Sequence, residues 1–231
     1  MIRVHKSDTV PESLSRTKAY DGEDVKIQLY ADQLDKCYIC ERVRDTDTHI
    51  EHCVSRKGNA GLVQEWDNLF LSCSYCNGKK LNHFDNILNP AECNIEDEIQ
   101  QAVTYLGGQV TFVFTPMVVS DAHDETVRLL SLVHNGKDGV RKIKEKKFLN
   151  CVMSSINSFN KSVFKYLQEP TSENEDEVRG HLTIDKEFLG LKYWIVKNNP
   201  TLYDKFSTDV IWNKKIGKIL NHNKQPSMRN A

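Results

Sequence analysis

The sequence predicts an α+β protein, a small metal-stapled unit followed by a mostly helical region. Three observations lead there. Two Cys-x-x-Cys knuckles, Cys37-Tyr38-Ile39-Cys40 and Cys73-Ser74-Tyr75-Cys76, enclose short strand-like runs. Residues 121–168 and 184–219 read as helices with few breakers. Between these regions, Gly107-Gly108 precedes an alternating apolar run, Gln109 to Phe114. The expected organisation is an N-terminal arm over 1–22, a stapled core over 23–92, and a helical region over 93–231 with a hairpin near 107–118.

Taken in order, residues 1 to about 20 are polar and read as a tail, or as an arm that orders on a partner. Residues 23–36 read as a helix, with Val25, Leu29 and Leu34 near one face. Thr48 to Val54 reads as a short strand, and Ser55 to Gly61 as a loop. Trp66 to Ser72 leads into the second knuckle, and Asn77 to His83 reads as a short helix beginning there. Pro90 disfavours helix at Asn89 and closes the unit. The helical stretch 121–168 should break around Asn135-Gly136, and the one over 184–219 at Pro200. Acidic residues 169–178 read as a linker or solvated loop, and Asn221 to Ala231 as a frayed end.

The 231 residues are 39% hydrophobic and 27% charged, ordinary for a globular protein, and no apolar run suits a membrane span. Met1 to Lys6 lacks the apolar stretch of a secretory signal, so a cytoplasmic location is expected. A net charge of −1 offers no global basic field for nucleic acid. The stretch Lys137–Lys165 is the exception, with eight basic residues against two acidic ones. Within it, Lys142, Lys146 and Lys147 are candidates for tracking nucleic acid, against a solvated helix face.

Four thiolates in two Cys-x-x-Cys pairs suit one tetrahedral Zn²⁺, so Cys37, Cys40, Cys73 and Cys76 are the expected ligands of a structural zinc. Cys53, Cys93 and Cys151 show no partner spacing. An odd total of seven argues against a secreted disulfide framework.

Between the knuckles lie Glu51-His52 and Trp66-Asp67-Asn68-Leu69, followed by Cys73-Ser74-Tyr75-Cys76-Asn77-Gly78-Lys79-Lys80. On these residues the chain resembles the HNH endonuclease family, in its zinc-stapled branch with a ββα-metal core. The resemblance implies that His52 stands for the family's first His and Asn68 for its middle Asn. Asn77 replaces the last His, and the Pro usual downstream of the strand is absent. Phosphodiester hydrolysis needs an activated water, and a His near neutral pKa suits that task. A hard cation, Mg²⁺ or Mn²⁺, suits the phosphate, with Glu51 and the Asn77 amide oxygen as candidate ligands. Asn68 is expected to hydrogen-bond the His52 ring or nearby backbone. Adjacent strand residues face opposite ways, so Glu51 and His52 share one site only on a bent or edge strand. His49 either lines the site or is solvated, and His83 is peripheral. Lys79 and Lys80 are candidates for phosphate contact, against a solvated helix face.

A narrower resemblance, to the HNH subunits of Septu anti-phage defence systems, spans about residues 1–165. It rests on Ile2-Arg3-Val4-His5-Lys6, Ile50-Glu51-His52, Leu71-Ser72-Cys73, Ile87-Leu88-Asn89-Pro90 and Gly108-Gln109-Val110. It implies an SMC/ABC-type ATPase partner and a nucleic-acid substrate, DNA by default. In retron-associated members it implies a reverse transcriptase with its reverse-transcribed DNA, and a structured RNA such as tRNA as rival substrate. No P-loop pattern occurs in the sequence, so ATP hydrolysis falls to the partner. A zinc-stabilised binding module without catalysis is the alternative from a different class.

Overall fold

The computed structural model describes residues 1–16, 19–44, 46–56 and 60–210. The expected helix over 211–219, the frayed end and part of the 55–61 loop (residues 57–59) lie outside the described residues.

The N-terminal segment is folded into the molecule. Met1, Ile2 and Val4 are buried, and Val4 N–H donates to the Pro90 carbonyl. Here the reading of a free tail fails, because the apolar residues of this segment fill the chain's own core. A one-turn helix α1 (Glu12–Arg16) then leads to α2 (Glu23–Gln33), which buries Val25 and Leu29. Leu34 takes a left-handed conformation and ends α2 short of the expected Lys36.

Strands β1 (Thr48–His52) and β2 (Leu69–Cys73) form an antiparallel pair with Glu51 opposite Phe70 and His52 opposite Leu69. Helix α3 (Ser74–Lys80) starts directly after Cys73, three residues earlier than expected. The second knuckle is therefore the strand-to-helix junction itself. Ile50 packs with Leu14, Val25, Leu29, Trp66, Leu69 and Leu71 in a small core on the side of α2.

After the one-turn helix α4 (Ile95–Glu98), a second antiparallel pair follows, β3 (Ile99–Leu106) and β4 (Gln109–Pro116). Gly107 and Gly108, both with positive φ, make the two-residue turn. The hairpin is thus larger than the 107–118 expected. Strand β3 lacks a clean apolar alternation because a glutamine occupies one of its core positions. Gln101 is buried and its amide donates to the Met1 carbonyl. The outer edge of β4 is closed by side chains: Asn135 exchanges two hydrogen bonds with the Phe112 backbone, and Arg141 donates to the Val110 carbonyl.

Helices α5 (Asp121–Asn135) and α6 (Ile143–Gln168) break at Gly136, whose φ is 83° and where a Cβ would lie 2.3 Å from the Val140 carbonyl oxygen. The acidic segment is a helix, not a linker: α7 spans Ser172–Gly180. Thr171 caps it, Glu173 and Glu175 lie at its positive end, Arg179 lies in its last turn, and Val178 anchors it. Helices α8 (Leu189–Lys197) and α9 (Pro200–Val210) complete the described chain. Pro200 starts α9 rather than merely interrupting a helix, since the first helical position needs no N–H. Among the described residues, no helix is long and apolar enough to cross a membrane.

One carboxylate ties the two ends together. Glu41, one residue past the first knuckle, accepts hydrogen bonds from the Leu189 and Gly190 N–H groups at the start of α8. It also pairs with the Met1 nitrogen.

Candidate active site

The two knuckles converge. The sulfurs of Cys37, Cys40, Cys73 and Cys76 all lie within 4.8 Å of one another, and all four residues are buried. Cys40 Sγ and Cys73 Sγ are 3.9 Å apart. A tetrahedron with Zn–S near 2.3 Å has edges of about 3.8 Å, so the donor set fits zinc in number, chemistry and span. Burial pushes the Cys76 thiol well above its ordinary range, while Cys37, under the same burial, is held below its own by hydrogen bonds from the other thiols. Cys73 ends β2 and Cys76 lies one turn into α3. A shared ion would therefore fix that strand and helix against the Cys37–Cys40 turn.

Strand β1 displays its side chains on two faces. His49 and Glu51 face α3: His49 Nε2 is 2.8 Å from Ser74 Oγ, and Lys80 Nζ is 3.0 Å from Glu51 Oε1. Asn77 stands between Ser74 and Lys80 at three-residue spacing, on the same stripe of α3. Helical spacing thus puts Asn77 on the stripe of α3 that meets the Glu51 face of β1. The Glu51 carboxyl is pushed up from its usual range by burial, a rise opposed by Lys80. Between them Glu51 and Asn77 offer one carboxylate and one amide oxygen. That suits a hard divalent cation that keeps waters and takes its remaining ligands from a phosphate.

His52 lies on the other face of β1, toward Tyr20, with ring centroids 5.1 Å apart. It is the last residue of the strand, and the backbone bends at Cys53 and Val54. Glu51 and His52 therefore occupy opposite faces of β1, as adjacent strand residues do, both at the strand's end. His52 Nε2 lies 3.2 Å from the Val63 carbonyl oxygen. A carbonyl only accepts, so Nε2 carries the proton and Nδ1 the lone pair. Burial lowers the His52 pKa, with Arg56 and Lys80 adding to the effect, so the ring is neutral near pH 7.

Asn68 takes the second of its two expected partners. It does not bond the His52 ring. Its amide brackets Val54, accepting from Val54 N–H at 2.7 Å and donating to the Val54 carbonyl at 3.0 Å. Its backbone carbonyl also takes the Cys53 N–H. Asn68 is therefore a positioning residue that holds the bend after His52. Tautomer control falls to Val63, which carries no signal in a sequence. Lys6 supports the same turn, reaching the Trp66 and Leu69 carbonyls with its ammonium 3.6 Å from the Trp66 ring centroid.

The lysines divide. Lys80 is fully buried and donates to Glu51 and the His52 carbonyl, so it cannot reach nucleic acid. The expected phosphate contact is corrected on that ground: Lys80 is an internal strut between α3 and β1. Lys79 pairs with Glu145 of α6. Lys142, Lys146 and Lys147 are exposed around the start of α6. His83 lies beyond α3 and is exposed.

Residues 37–83 match the family model described as HNH endonuclease. The match runs from the first knuckle through α3 and includes Glu51, His52, Asn68 and Asn77. No curated protein and no solved structure matches the chain.

Proposed function

We propose that this chain is a metal-dependent HNH endonuclease that hydrolyses phosphodiester bonds in nucleic acid, DNA first. The observation that carries the reading is the end of β1, where Glu51 and His52 follow one another on opposite faces of the strand and α3, bearing Asn77, packs on the Glu51 side, all within the frame of the four clustered cysteines. His52, protonated on Nε2, offers Nδ1 to take a proton from water. Val63 holds that tautomer and Asn68 holds the bend. Glu51 and Asn77 would hold Mg²⁺ or Mn²⁺, which when bound supplies charge stabilisation for the phosphate and the departing oxygen. Cys37, Cys40, Cys73 and Cys76 would hold zinc and take no part in the reaction.

The proposal extends to context. The Septu-like stretches of sequence support a subunit of a bacterial anti-phage defence complex working with an SMC/ABC-type ATPase. A near-neutral chain gains by being held on its substrate by such a partner. A retron-associated role, with reverse transcriptase, reverse-transcribed DNA and a structured RNA such as tRNA as target, is the variant within this reading. One observation favours a non-catalytic module instead: Lys80 already occupies a Glu51 oxygen, where it competes with a cation.

The test is His52→Ala. Cleavage of DNA or RNA with Mg²⁺ or Mn²⁺ should fall by about 10²-fold or more, with zinc content and circular dichroism unchanged. Normal cutting by this variant removes the assignment. Binding without metal-dependent cutting by the parent chain, alone and with an SMC-type ATPase, selects the module.

A further inference from the structure

On the His52 face of β1, an aromatic ring lies tilted beside the imidazole and carries a cation next to it. The Tyr20 ring lies 5.1 Å from that of His52 at 58°. The Arg56 guanidinium carbon sits 4.6 Å from the Tyr20 ring centroid, and Arg56 Nη2 donates to Tyr20 Oη at 3.3 Å. Tyr20 ends the N-terminal arm and is half-buried, whereas Arg56 follows the bend after β1 and is exposed. Neither belongs to the residues on which the family resemblance rests.

A guanidinium carries five N–H donors. Stacking on a ring uses its face and leaves most of its edge turned outward. Among the described residues, the only hydrogen bond of Arg56 is the one to Tyr20, and no carboxylate pairs with it. An exposed cation with free donors therefore stands two residues beyond the bend at Cys53 and Val54 and one ring away from His52. It lies on the same side of β1 as the His52 ring. Planar, forked donors match phosphate oxygens.

We infer that Arg56 binds a backbone phosphate next to the scissile one, and that Tyr20 is the positioning residue that seats Arg56 and covers one face of His52. The inference rests on the nuclease reading of His52. It assigns the arm a part in the substrate site. The bland alternative is a surface arginine stacked on a tyrosine, which contributes to folding alone.

The experiment is equilibrium binding of labelled single-stranded and duplex DNA and RNA to the full chain. It is read by fluorescence anisotropy over a salt series in buffer without divalent cations, so that no cutting intervenes. Arg56→Ala should weaken binding about tenfold and make the slope of log K against log salt shallower by about 1. Arg56→Lys should keep part of both. Tyr20→Ala should resemble Arg56→Ala, while Tyr20→Phe, which keeps the ring but loses the Oη acceptor, should fall between Tyr20→Ala and the parent. The DNA and RNA arms show which phosphodiester is held. Unchanged affinity and slope for Arg56→Ala on every nucleic acid overturns the inference, as does a parent chain that binds none of them. His52→Ala is scored separately by cutting. If it cuts normally while Arg56→Ala loses its salt slope, the nuclease reading fails and the phosphate contact stands.

Discussion

Around the first half of α6, Phe148, Val152 and Ile156 enter a core that also contains the four clustered cysteines. Around the second half, Phe159, Val163 and Tyr166 enter a core made with Val178, Trp194, Leu202 and Phe206. The same helix thus serves two cores held by different physics. The first draws residues from Met1 to Leu191 and encloses polar groups such as Glu41 and Gln101 close by. Its order requires long-range closure and buried polar partners, both of which are costly. The second comes from residues 159–210 and is held by apolar burial between neighbours in sequence. The chemistry-bearing residues sit beside the costly core, where a metal can compensate for what burial alone does not supply.

Metal removal should separate the two cores most clearly. Structural zinc contributes roughly 10–16 kcal/mol in small zinc domains, comparable to or above the whole stability of an ordinary domain. Chelation should therefore open the unit around residues 37–90. Segment-resolved hydrogen exchange should show its protection lost while residues 159–210 stay protected. Simultaneous loss in both would show that α6 couples them into one cooperative unit.

Phe159→Ala probes the other side. Phe159 is fully buried in the apolar core. The truncation should cost about 3–5 kcal/mol, seen as a lower denaturation midpoint, with the zinc content of the folded protein unchanged. Loss of zinc by this variant would again join the cores.

The smallest effect concerns His134, ringed by Phe112, Phe114 and Phe148 at the hairpin end of the first core. Burial pulls its pKa down to about 3, while the unfolded chain returns it to about 6.5. Between those values the unfolded state binds the extra proton, so stability falls as pH drops below 6.5. From pH 7 to 5 this costs about 2 kcal/mol. Buried Glu96, raised by desolvation to about 7, works in the opposite direction. The measurement is therefore a difference: His134→Phe should lose less stability than the parent over that range. Equal losses would mean that His134 is not held neutral by the first core.

Much of this was legible. Paired cysteine spacing implies convergence because two thiolates per knuckle need a common ion, and the sulfurs do cluster. Helices α5 and α6, and their break at Gly136, follow from periodicity and from a backbone that only glycine accommodates. Strand β3 was hidden by Gln101, a polar residue at a core position whose partner lies a hundred residues away. Helix α7 is poorly legible because acids crowding a helix start resemble a solvated loop, and a single cap, Thr171, and a single buried residue, Val178, mark it as a helix.

The sequence by itself determined the cysteine frame, the residues between its knuckles and the long helices, because spacing and periodicity are local properties. Tertiary structure decided which face of β1 each residue occupies, that Lys80 lies inside while Arg56 lies outside, and that Val63 rather than Asn68 sets the His52 tautomer. It also decided that the arm packs on its own chain. Those outcomes depend on which surfaces meet and on what each meeting leaves for water, and no single stretch of chain carries that information.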